Sequence, residues 1–440
     1  MHDDKIPLQT SSIQLPASSK TMFLKKSQLL PGKTIQISGS KSESNRLLIL
    51  QKLFGSDSSA SLRMTIQNLS DSQDSQVMQK ALTSDEEIID IHHAGTAMRF
   101  LTSYFSICEN RKTVLTGSER MKQRPIKFLV DALKDLGAEI EYLENEGFPP
   151  LKITGKKLEK NSVKIPANIS SQFISSLLMI GGKLENGLEI DLVGEITSRP
   201  YLEMTLEILS EIGISNSFKG NLITIKNYQV LTDNHQKTTI NYIVESDWSS
   251  ASYFYSLSAI GGKKISLKSF RKHSLQGDSV LQKIYSDFFG ILTVFDENEN
   301  RISLLPDENF HFPEIIKLDM NSCPDIAQTL CVTAAALKIP FEITGLATLK
   351  VKETDRLTAL QNELKKIGCI TEITNDSIKS TAIVEPEKNI SIKTYDDHRM
   401  AMSFAPFCLI KELNIENENV VEKSYISFWK DFFEVTEVVS

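Results

Sequence analysis

The 440-residue chain lacks the features that mark several classes of protein. Its five cysteines are odd in number and none has the CxxC spacing of a zinc or redox site, so reduced and mostly buried thiols are expected. No segment approaches the roughly 18 consecutive apolar residues of a membrane helix, and the polar start has no apolar core of a secretory signal. These absences favour a cytoplasmic protein with neither a disulfide framework nor a membrane span.

Positive charge is also scarce, because the formal net charge is −7 at pH 7. A general nucleic-acid-binding surface needs a basic excess, which this chain does not have. Any anion site must therefore be a local concentration of cations. The chain is longer than one hydrophobic core usually spans, so two domains are expected.

What the chain does have is a repeated pattern of amphipathic helix, glycine, strand, polar turn and second strand. The pattern occurs four times, and its glycines, separated by 76, 77 and 78 residues, are Gly137, Gly213, Gly290 and Gly368. This regular spacing predicts about six related units in the whole chain and a layered α/β fold.

The stretch GSKSESNR, residues 39–46, concentrates hydrogen-bond donors just before a helix-like segment. Ser42 and Ser44 supply hydroxyls, while Lys41 and Arg46 supply positive charge. A cationic turn at a helix N-terminus is typical of a phosphate site. A plain serine cap explains the same residues about equally well, so both interpretations stay open at this point.

Further cations lie close to small residues in HHAGTAMRF (92–100), GSERMKQRPI (117–126) and LKVKETDRLTAL (349–360). Each could be a solvated face, and the last could be a surface network of ion pairs. The pair His92 and His93 could suggest a metal, but adjacent histidines point in different directions, so no metal site is expected. The recurrence of cations around small residues favours anion binding.

The stretch NISSQFISSLLM, residues 168–179, places Ser170, Ser171 and Gln172 before an apolar helix. Taken alone, these residues are better explained as a helix cap than as a binding site for a polyol. A binding role becomes the better interpretation only when these residues are considered together with the other motifs.

Together the motifs resemble the 5-enolpyruvylshikimate-3-phosphate synthase family of enolpyruvyl transferases. The matching segments run in the family's order from residue 39 to about residue 430, and they are GSKSESNR, AGTAMR, LTGSERMKQRPI, SSQF, SRPYLEMT, ESDWSSASY, CPDIAQT, VKETDRL and DDHRMAM. The resemblance implies two domains, each an inside-out α/β barrel of three repeated βαβαββ units. One domain would comprise residues 40–245 and the other residues 1–39 with 246–440, with the active site in the cleft between them.

The resemblance also implies the reaction. The enolpyruvyl group of phosphoenolpyruvate would pass to the 5-hydroxyl of shikimate 3-phosphate through a tetrahedral ketal, with release of phosphate, in chorismate and aromatic amino acid biosynthesis. No metal or organic cofactor is expected. The expected partners are these two small molecules, without nucleic acid or membrane, and the expected state is a monomer.

By the same resemblance, two overlapping sets of side chains would hold the two anionic substrates, because cations and hydroxyls suit phosphate and carboxylate. The set for shikimate 3-phosphate is Lys41, Ser42, Arg46, Ser170, Ser171, Gln172, Ser198, Asp325, Thr348 and Lys352. The set for phosphoenolpyruvate is Lys41, Gly95, Arg124, Gln172, Arg356, Arg399 and Lys423.

Catalysis would need groups that move protons, and the resemblance implies Asp325 at the 5-hydroxyl and Glu353 at C3, with Lys41 sharing the acid role. Two alternatives are weaker. A UDP-N-acetylglucosamine enolpyruvyl transferase carries a cysteine near the RMKQRPI segment, and this chain has none between Cys108 and Cys323. A noncatalytic protein that binds phosphorylated metabolites would keep the arginines and lose the two carboxylates.

A few positions depart from the family's pattern. His92 and His93 stand where Gly-Asn is usual, Phe100 replaces a frequent proline, and Thr348 occupies a position that can be asparagine. The family's glycine at position 95 leaves room for the herbicide glyphosate, so sensitivity to glyphosate is a hypothesis for this chain.

Overall fold

The computed structural model describes residues 20–55, 62–196, 199–228 and 238–439. Ser198, one of the predicted ligands of shikimate 3-phosphate, lies outside these described residues.

The structure can be compared with the predictions about membrane-spanning helices and about the cysteines. In the described ranges, no helix combines the length and the apolar composition that crossing a membrane requires. All five cysteines lie within these ranges as free thiols, and four of them are buried. The prediction that most of the thiols are buried is therefore confirmed, whereas their reduced state stays a prediction.

The described residues form thirteen α-helices. Seven of them begin at a serine or aspartate whose side chain accepts a hydrogen bond from a backbone N–H of the first turn, the usual solution for unpaired N–H groups there. The helices are α1 (Lys41–Leu50), α2 (Gln73–Thr83), α3 (Gly95–Ser106), α4 (Glu119–Lys122), α5 (Lys127–Asp135), α6 (Ser171–Gly181), α7 (Arg199–Glu211), α8 (Trp248–Gly261), α9 (Leu281–Phe289), α10 (Ala327–Ala336), α11 (Arg356–Lys366), α12 (His398–Phe404) and α13 (Phe428–Val435).

The same part of the chain forms twenty-three short strands. They are β1 (Met22–Leu24), β2 (Ser27–Leu29), β3 (Lys33–Gln36), β4 (Leu62–Gln67), β5 (Ile88–Asp90), β6 (Lys112–Thr116), β7 (Glu139–Tyr142), β8 (Leu151–Thr154), β9 (Ser162–Pro166), β10 (Leu188–Val193), β11 (Asn216–Lys219), β12 (Leu222–Ile225), β13 (Thr238–Ile243), β14 (Ile265–Lys268), β15 (Ile291–Asp296), β16 (Arg301–Pro306), β17 (Ile316–Asp319), β18 (Phe341–Thr344), β19 (Cys369–Ile373), β20 (Ile378–Ile383), β21 (Ser391–Ile392), β22 (Leu413–Ile415) and β23 (Thr436–Val438). The fold is therefore α/β, as predicted.

Four of the sheets contain four strands each and share one topology. In each sheet a parallel pair is extended by an antiparallel hairpin that pairs with the second parallel strand. The strand orders are β5-β6-β8-β7, β9-β10-β12-β11, β3-β14-β16-β15 and β17-β18-β20-β19. The other three sheets of the described ranges have two or three strands, and no closed barrel occurs in these ranges.

The glycines of the sequence repeat end the helices that precede the hairpins. Their φ angles are +107° at Gly137, +88° at Gly213, +66° at Gly290 and +88° at Gly368. A side chain would be strained in this left-handed region, so glycine is the natural residue for turning the chain from helix to hairpin. The predicted helix–glycine–hairpin pattern is confirmed at all four positions.

Buried hydrophobic side chains gather in two separate clusters. The first cluster spans residues 47–244, and the second combines residues 24–37 with residues 248–435. Each cluster has the size and contiguity of a domain core. These clusters support the predicted domain division, which stays a prediction at the level of its boundaries.

The chain passes between the two clusters at two adjacent segments. Gly39 and Ser246 form an isolated antiparallel bridge, and the N–H of Ser40 donates to the carbonyl of Glu245 at 2.8 Å. A Cβ at Gly39 would lie 1.8 Å from the carbonyl oxygen of Asn68. The first glycine of the GSKSESNR motif is therefore explained by close packing at this crossing.

Candidate active site

The two predicted catalytic carboxylates lie on either side of one buried arginine. Arg356, the first residue of α11, is only 2% exposed. Its Nη1 lies 2.9 Å from Asp325, its Nη2 lies 2.8 Å from Glu353, and its Nε lies 2.6 Å from Asp397. Because the guanidinium is planar and rigid, these contacts fix the positions of the carboxylates relative to one another.

Asp325 lies in the 3-10 turn Pro324–Ile326, directly before α10. Lys352 Nζ is 3.4 Å and Arg399 Nη2 is 3.5 Å from its carboxylate. Burial alone would raise the pKa of Asp325, but the nearby charges of Lys352, Arg399 and Arg356 outweigh burial and hold this pKa well below its usual range. Asp325 is therefore ionised in this arrangement.

Glu353 has a similar environment. Its Oε1 lies 2.7 Å from Lys423 Nζ, opposite the contact of its Oε2 with Arg356. Burial would raise the pKa of Glu353, but Lys423, Arg356 and Arg124 together lower it well below its usual range. The predicted catalytic pair thus forms one charge network with four of the predicted substrate-binding cations, namely Lys352, Arg356, Arg399 and Lys423.

Two residues of the DDHRMAM segment that the motifs did not indicate lie at this network, Asp397 within it and His398 beside it. Asp397 is fully buried and caps α12 by accepting a hydrogen bond from the N–H of Arg399. Its carboxylate also accepts a hydrogen bond from Nε of Arg356. His398 is also buried, and burial, followed by the charge of Lys41, lowers its pKa well below the usual range, so its ring is neutral. The only sequence signal was their place beside Arg399, because burial of a polar residue cannot be predicted from a charged segment.

The GSKSESNR motif forms the start of α1, as the helix-cap interpretation predicts, since the side chain of Ser40 accepts from the N–H of Glu43. The Nζ of Lys41 lies 3.2 Å from Asp74. Arg46 is buried and donates to the hydroxyl of Thr205 at 2.7 Å and to the carbonyl of Ser42 at 2.7 Å. The cap and the cations therefore occur together.

Gly95 and Arg124 are in direct contact. Gly95 begins α3, and a Cβ added to it would lie 2.5 Å from Nη1 of Arg124. The absence of a side chain at position 95 therefore lets the guanidinium of Arg124 approach the N-terminus of α3. This pairing supports the prediction that both residues serve one ligand, although the ligand set stays a prediction.

Residues 170–172 lie at the start of α6, with Ser170 as its exposed cap and Ser171 buried. Gln172 Nε2 donates to the hydroxyl of Thr96 at 3.1 Å, which connects α6 with α3. Thr348, in contrast, has a buried hydroxyl oxygen with no hydrogen-bond partner among the described residues. The contacts in the described ranges therefore do not explain the position of the Thr348 hydroxyl, and Ser198 lies outside those ranges.

Three other positions that depart from the family's pattern have defined surroundings in the structure, namely His92, His93 and Phe100. His92 has φ of +49°, which accounts for the glycine that is usual there. Phe100 is buried, with its ring centroid 5.4 Å from the guanidinium carbon of Arg46. His93 contacts the hydroxyl of Ser118 at 2.8 Å while His92 faces Asp90. The described residues include no group of three or more metal-ligating side chains.

The fold and this arrangement first define a class of protein: an α/β protein in which cations and hydroxyls surround ionised carboxylates, as polyanionic substrates require. Comparison with known proteins makes the class specific. Residues 78–432 match the family model of EPSP synthase (3-phosphoshikimate 1-carboxyvinyltransferase).

Curated relatives bear the same name. A 3-phosphoshikimate 1-carboxyvinyltransferase of Bacteroides fragilis is 45% identical over 402 residues, covering 90% of this chain and 94% of the relative. Another, from Mannheimia haemolytica, is 35% identical over 430 residues, covering 90% and 95%. Among solved structures, an EPSP synthase from Acinetobacter baumannii has a TM-score of 0.67 at 21% identity, covering 94% of this chain and 99% of that one, and shows the same fold.

The chain therefore belongs to the EPSP synthase family. Its function is that of a transferase of the shikimate pathway, which moves the enolpyruvyl group of phosphoenolpyruvate to shikimate 3-phosphate. The resemblance that the motifs carry is thus confirmed over most of the chain.

Proposed function

We propose that this chain performs the transfer by addition and elimination at one site, with Asp325 and Glu353 as the two proton-transfer groups. The observation that carries the proposal is the shared guanidinium of Arg356, 2.9 Å from Asp325 and 2.8 Å from Glu353. One guanidinium in contact with both carboxylates keeps them within reach of two adjacent reacting centres.

The proposed addition step forms a bond between the 5-hydroxyl oxygen of shikimate 3-phosphate and C2 of phosphoenolpyruvate. Asp325 takes the hydroxyl proton, and C3 receives a proton from Glu353, with Lys41 sharing the acid role. The product of this step is a tetrahedral ketal that still carries the phosphate. In the elimination step the C2–O bond to phosphate breaks, C3 returns a proton to Glu353, the leaving phosphate takes the proton held by Asp325, and the enol double bond is restored.

In the protein without substrates, the low pKa values of both carboxylates oppose this chemistry. An ionised Glu353 must gain a proton before it can act as an acid, and a strongly stabilised Asp325 is a weak base. The substrates resolve the conflict, because their phosphates and carboxylate bind the same lysines and arginines. When these cations share their charge with substrate anions, they stabilise the protein carboxylates less, and both pKa values rise.

We assign the two substrates to overlapping sets of residues. Shikimate 3-phosphate is held by Lys41, Ser42, Arg46, Ser170, Ser171, Gln172, Ser198, Asp325, Thr348 and Lys352. Phosphoenolpyruvate is held by Lys41, Gly95, Arg124, Gln172, Arg356, Arg399 and Lys423. The contact of Gly95 with Arg124 and the cation network around Arg356 support the second set.

The proposed architecture places the site between a domain of residues 40–245 and a domain of residues 1–39 with 246–440. Each domain is an inside-out barrel of three related units, and the protein acts as a cytoplasmic monomer. The two hydrophobic clusters and the four sheets of identical topology support this division. With ligands contributed by both domains, closure of the cleft around the substrates is the expected gating step.

Phosphate release tests the proposed reaction. The purified protein is given phosphoenolpyruvate with shikimate 3-phosphate, beside a control in which UDP-N-acetylglucosamine replaces the shikimate 3-phosphate. Release only with shikimate 3-phosphate supports the proposal. Release with the nucleotide sugar, or no release from folded protein that binds phosphoenolpyruvate, would contradict it.

A further inference from the structure

Arg120 reaches from the first hydrophobic cluster to the loop that carries Glu353. It lies in α4, next to Met121, which is buried in that cluster. Its Nε donates to the carbonyl oxygen of Glu353 at 3.2 Å, and its Nη2 donates to the carbonyl oxygen of Lys352 at 3.3 Å. One side chain therefore holds two successive carbonyls of a segment that belongs to the second cluster.

The position of these carbonyls in the chain explains why they accept from a side chain. Lys352 and Glu353 lie between the 3-10 helix Ala347–Val351 and the start of α11. Carbonyls in such a connection do not receive the N–H groups that pair them within a helix. The guanidinium of arginine suits two neighbouring acceptors, because it presents several N–H donors in a rigid plane.

The segment that Arg120 holds carries side chains of the candidate site. The Nζ of Lys352 is 3.4 Å from Asp325, and the carboxylate of Glu353 lies between Arg356 and Lys423. Fixing the two peptide groups fixes the points from which both side chains extend. In enzymes, a shift of about 1 Å in such positions can lower the rate about a hundredfold.

A second contact joins the same two clusters beside the site. Gln73 Nε2 donates to Glu422 at 2.9 Å. Gln73 precedes Asp74, the partner of Lys41, and Glu422 precedes Lys423, the partner of Glu353. The two sides of the candidate site are thus connected at two points, each next to a charged residue of the network.

We propose that Arg120 is a positioning residue that holds the cleft in its catalytic arrangement by binding the carbonyls of Lys352 and Glu353. It acts through their backbone, not on the reacting atoms. The inference rests on the proposed function, since it assumes that both residues serve the transfer. It adds a role for a cation of the RMKQRPI segment that neither substrate set includes.

The test compares three variants in the full-length protein. Arg120→Ala removes both hydrogen bonds, and Arg120→Lys keeps the charge but cannot span both carbonyls. Lys122→Ala is the matched control, because Lys122 lies in the same helix and pairs with Glu119 and Glu144 instead of with the opposite cluster. Arg120 is exposed, so all three variants are expected to fold, which thermal unfolding checks.

With both substrates present, Arg120→Ala should lower kcat about tenfold, the effect expected for losing hydrogen bonds from a charged donor. The affinity for shikimate 3-phosphate alone should stay within about twofold of the unmodified protein, because that measurement does not require the closed arrangement. Arg120→Lys should recover only part of kcat, and Lys122→Ala should leave it unchanged. Equal kcat values for Arg120→Ala and Lys122→Ala would overturn the inference and leave the proposed function intact.

If the unmodified protein releases no phosphate, the proposed function fails. Small-angle X-ray scattering then tests separately whether Arg120 holds the cleft. Measured without added substrates, Arg120→Ala should then have a larger radius of gyration than Lys122→Ala, because the bonds of Arg120 to the carbonyls of Lys352 and Glu353 join the two clusters directly. Equal radii would overturn the role of Arg120 in holding the cleft.

Discussion

The two sides of the candidate site place their polar groups in opposite electrostatic situations. The carboxylate side comprises Asp325, Glu353 and Asp397, and each of these acidic groups is paired with cations. The hydroxyl side comprises Ser42, Ser170, Ser171 and Gln172, whose uncharged polar groups lie at helix N-termini.

The pKa values of carboxyl groups on the two sides show what this difference does. Burial raises the pKa of Glu43, one residue beyond Ser42, to about 7, although Tyr242 and Arg271 partly offset the effect. Asp325 is buried as well, yet Lys352 and its neighbouring cations lower its pKa. Burial alone therefore does not set the charge of these carboxyls. The cations beside each carboxyl decide it: Lys352, Arg399 and Arg356 surround Asp325, whereas the contribution of Arg271 to Glu43 does not outweigh burial.

On the carboxylate side, the largest effect is expected for Asp325→Asn, which preserves the shape of the side chain and removes the proton acceptor. We expect kcat to fall about 1,000-fold, in the range of a lost general base, while phosphoenolpyruvate still binds. Steady-state phosphate release and an equilibrium titration with phosphoenolpyruvate measure the two effects. Turnover near that of the unmodified protein would refute the assignment of Asp325.

Arg356→Lys tests whether geometry matters beyond charge on the same side. A single ammonium cannot replace contacts with Asp325, Glu353 and Asp397 at once, so the carboxylates should shift and kcat should fall about a hundredfold. The control is Arg301→Lys, which alters a partly buried pair with Asp296 outside the charge network and should not affect kcat. Equal activity of the two variants would show that the shared guanidinium is dispensable.

Gln172→Ala, on the hydroxyl side, should change KM and not kcat. Removal of a neutral hydrogen-bonding group should raise KM for shikimate 3-phosphate about fivefold and change kcat little, since uniform binding is lost. Gln76→Ala, an exposed glutamine of α2 that donates to the carbonyl of Asp71, is the control. A fall in kcat with unchanged KM would remove the distinction between the two sides.

Glu43→Gln should have the smallest effect on turnover and should instead change stability. A carboxyl whose pKa rises on folding from 4.5 to about 7 stabilises the folded state less as pH increases through that interval. The glutamine variant should therefore match the unmodified protein near pH 4 and gain up to about 3 kcal/mol in free energy of unfolding above pH 7. Urea unfolding across this pH range measures the gain, and a gain that is constant with pH would contradict the explanation.

The local parts of the fold could be predicted because their causes lie within a few residues. Gly137 and its three counterparts end helices through a left-handed backbone, which depends on the missing side chain and not on distant partners. The caps at Ser40 and Ser170 are equally local. Alternation of helix, glycine and strands therefore predicted both the hairpins and the α/β class.

The candidate site was predictable only as a set of separate motifs. The sequence places Asp325 and Arg356 31 residues apart, and nothing within either motif shows that they share a contact. Asp397 and His398 were missed because their surroundings depend on folding: Asp397 binds Arg356 of α11, and burial followed by the charge of Lys41 lowers the pKa of His398. Their neighbour Arg399 was found because its motif resembles the family's.

The sequence by itself determined the repeated α/β pattern, the likeness to the EPSP synthase family and the residue types that its chemistry requires. Only the tertiary structure decided which charges meet, as in the contact of Arg120 with Glu353 across 233 residues of chain. The physical reason is that helix caps and turns depend on short-range backbone geometry, whereas ionisation depends on burial and on cations brought together by folding.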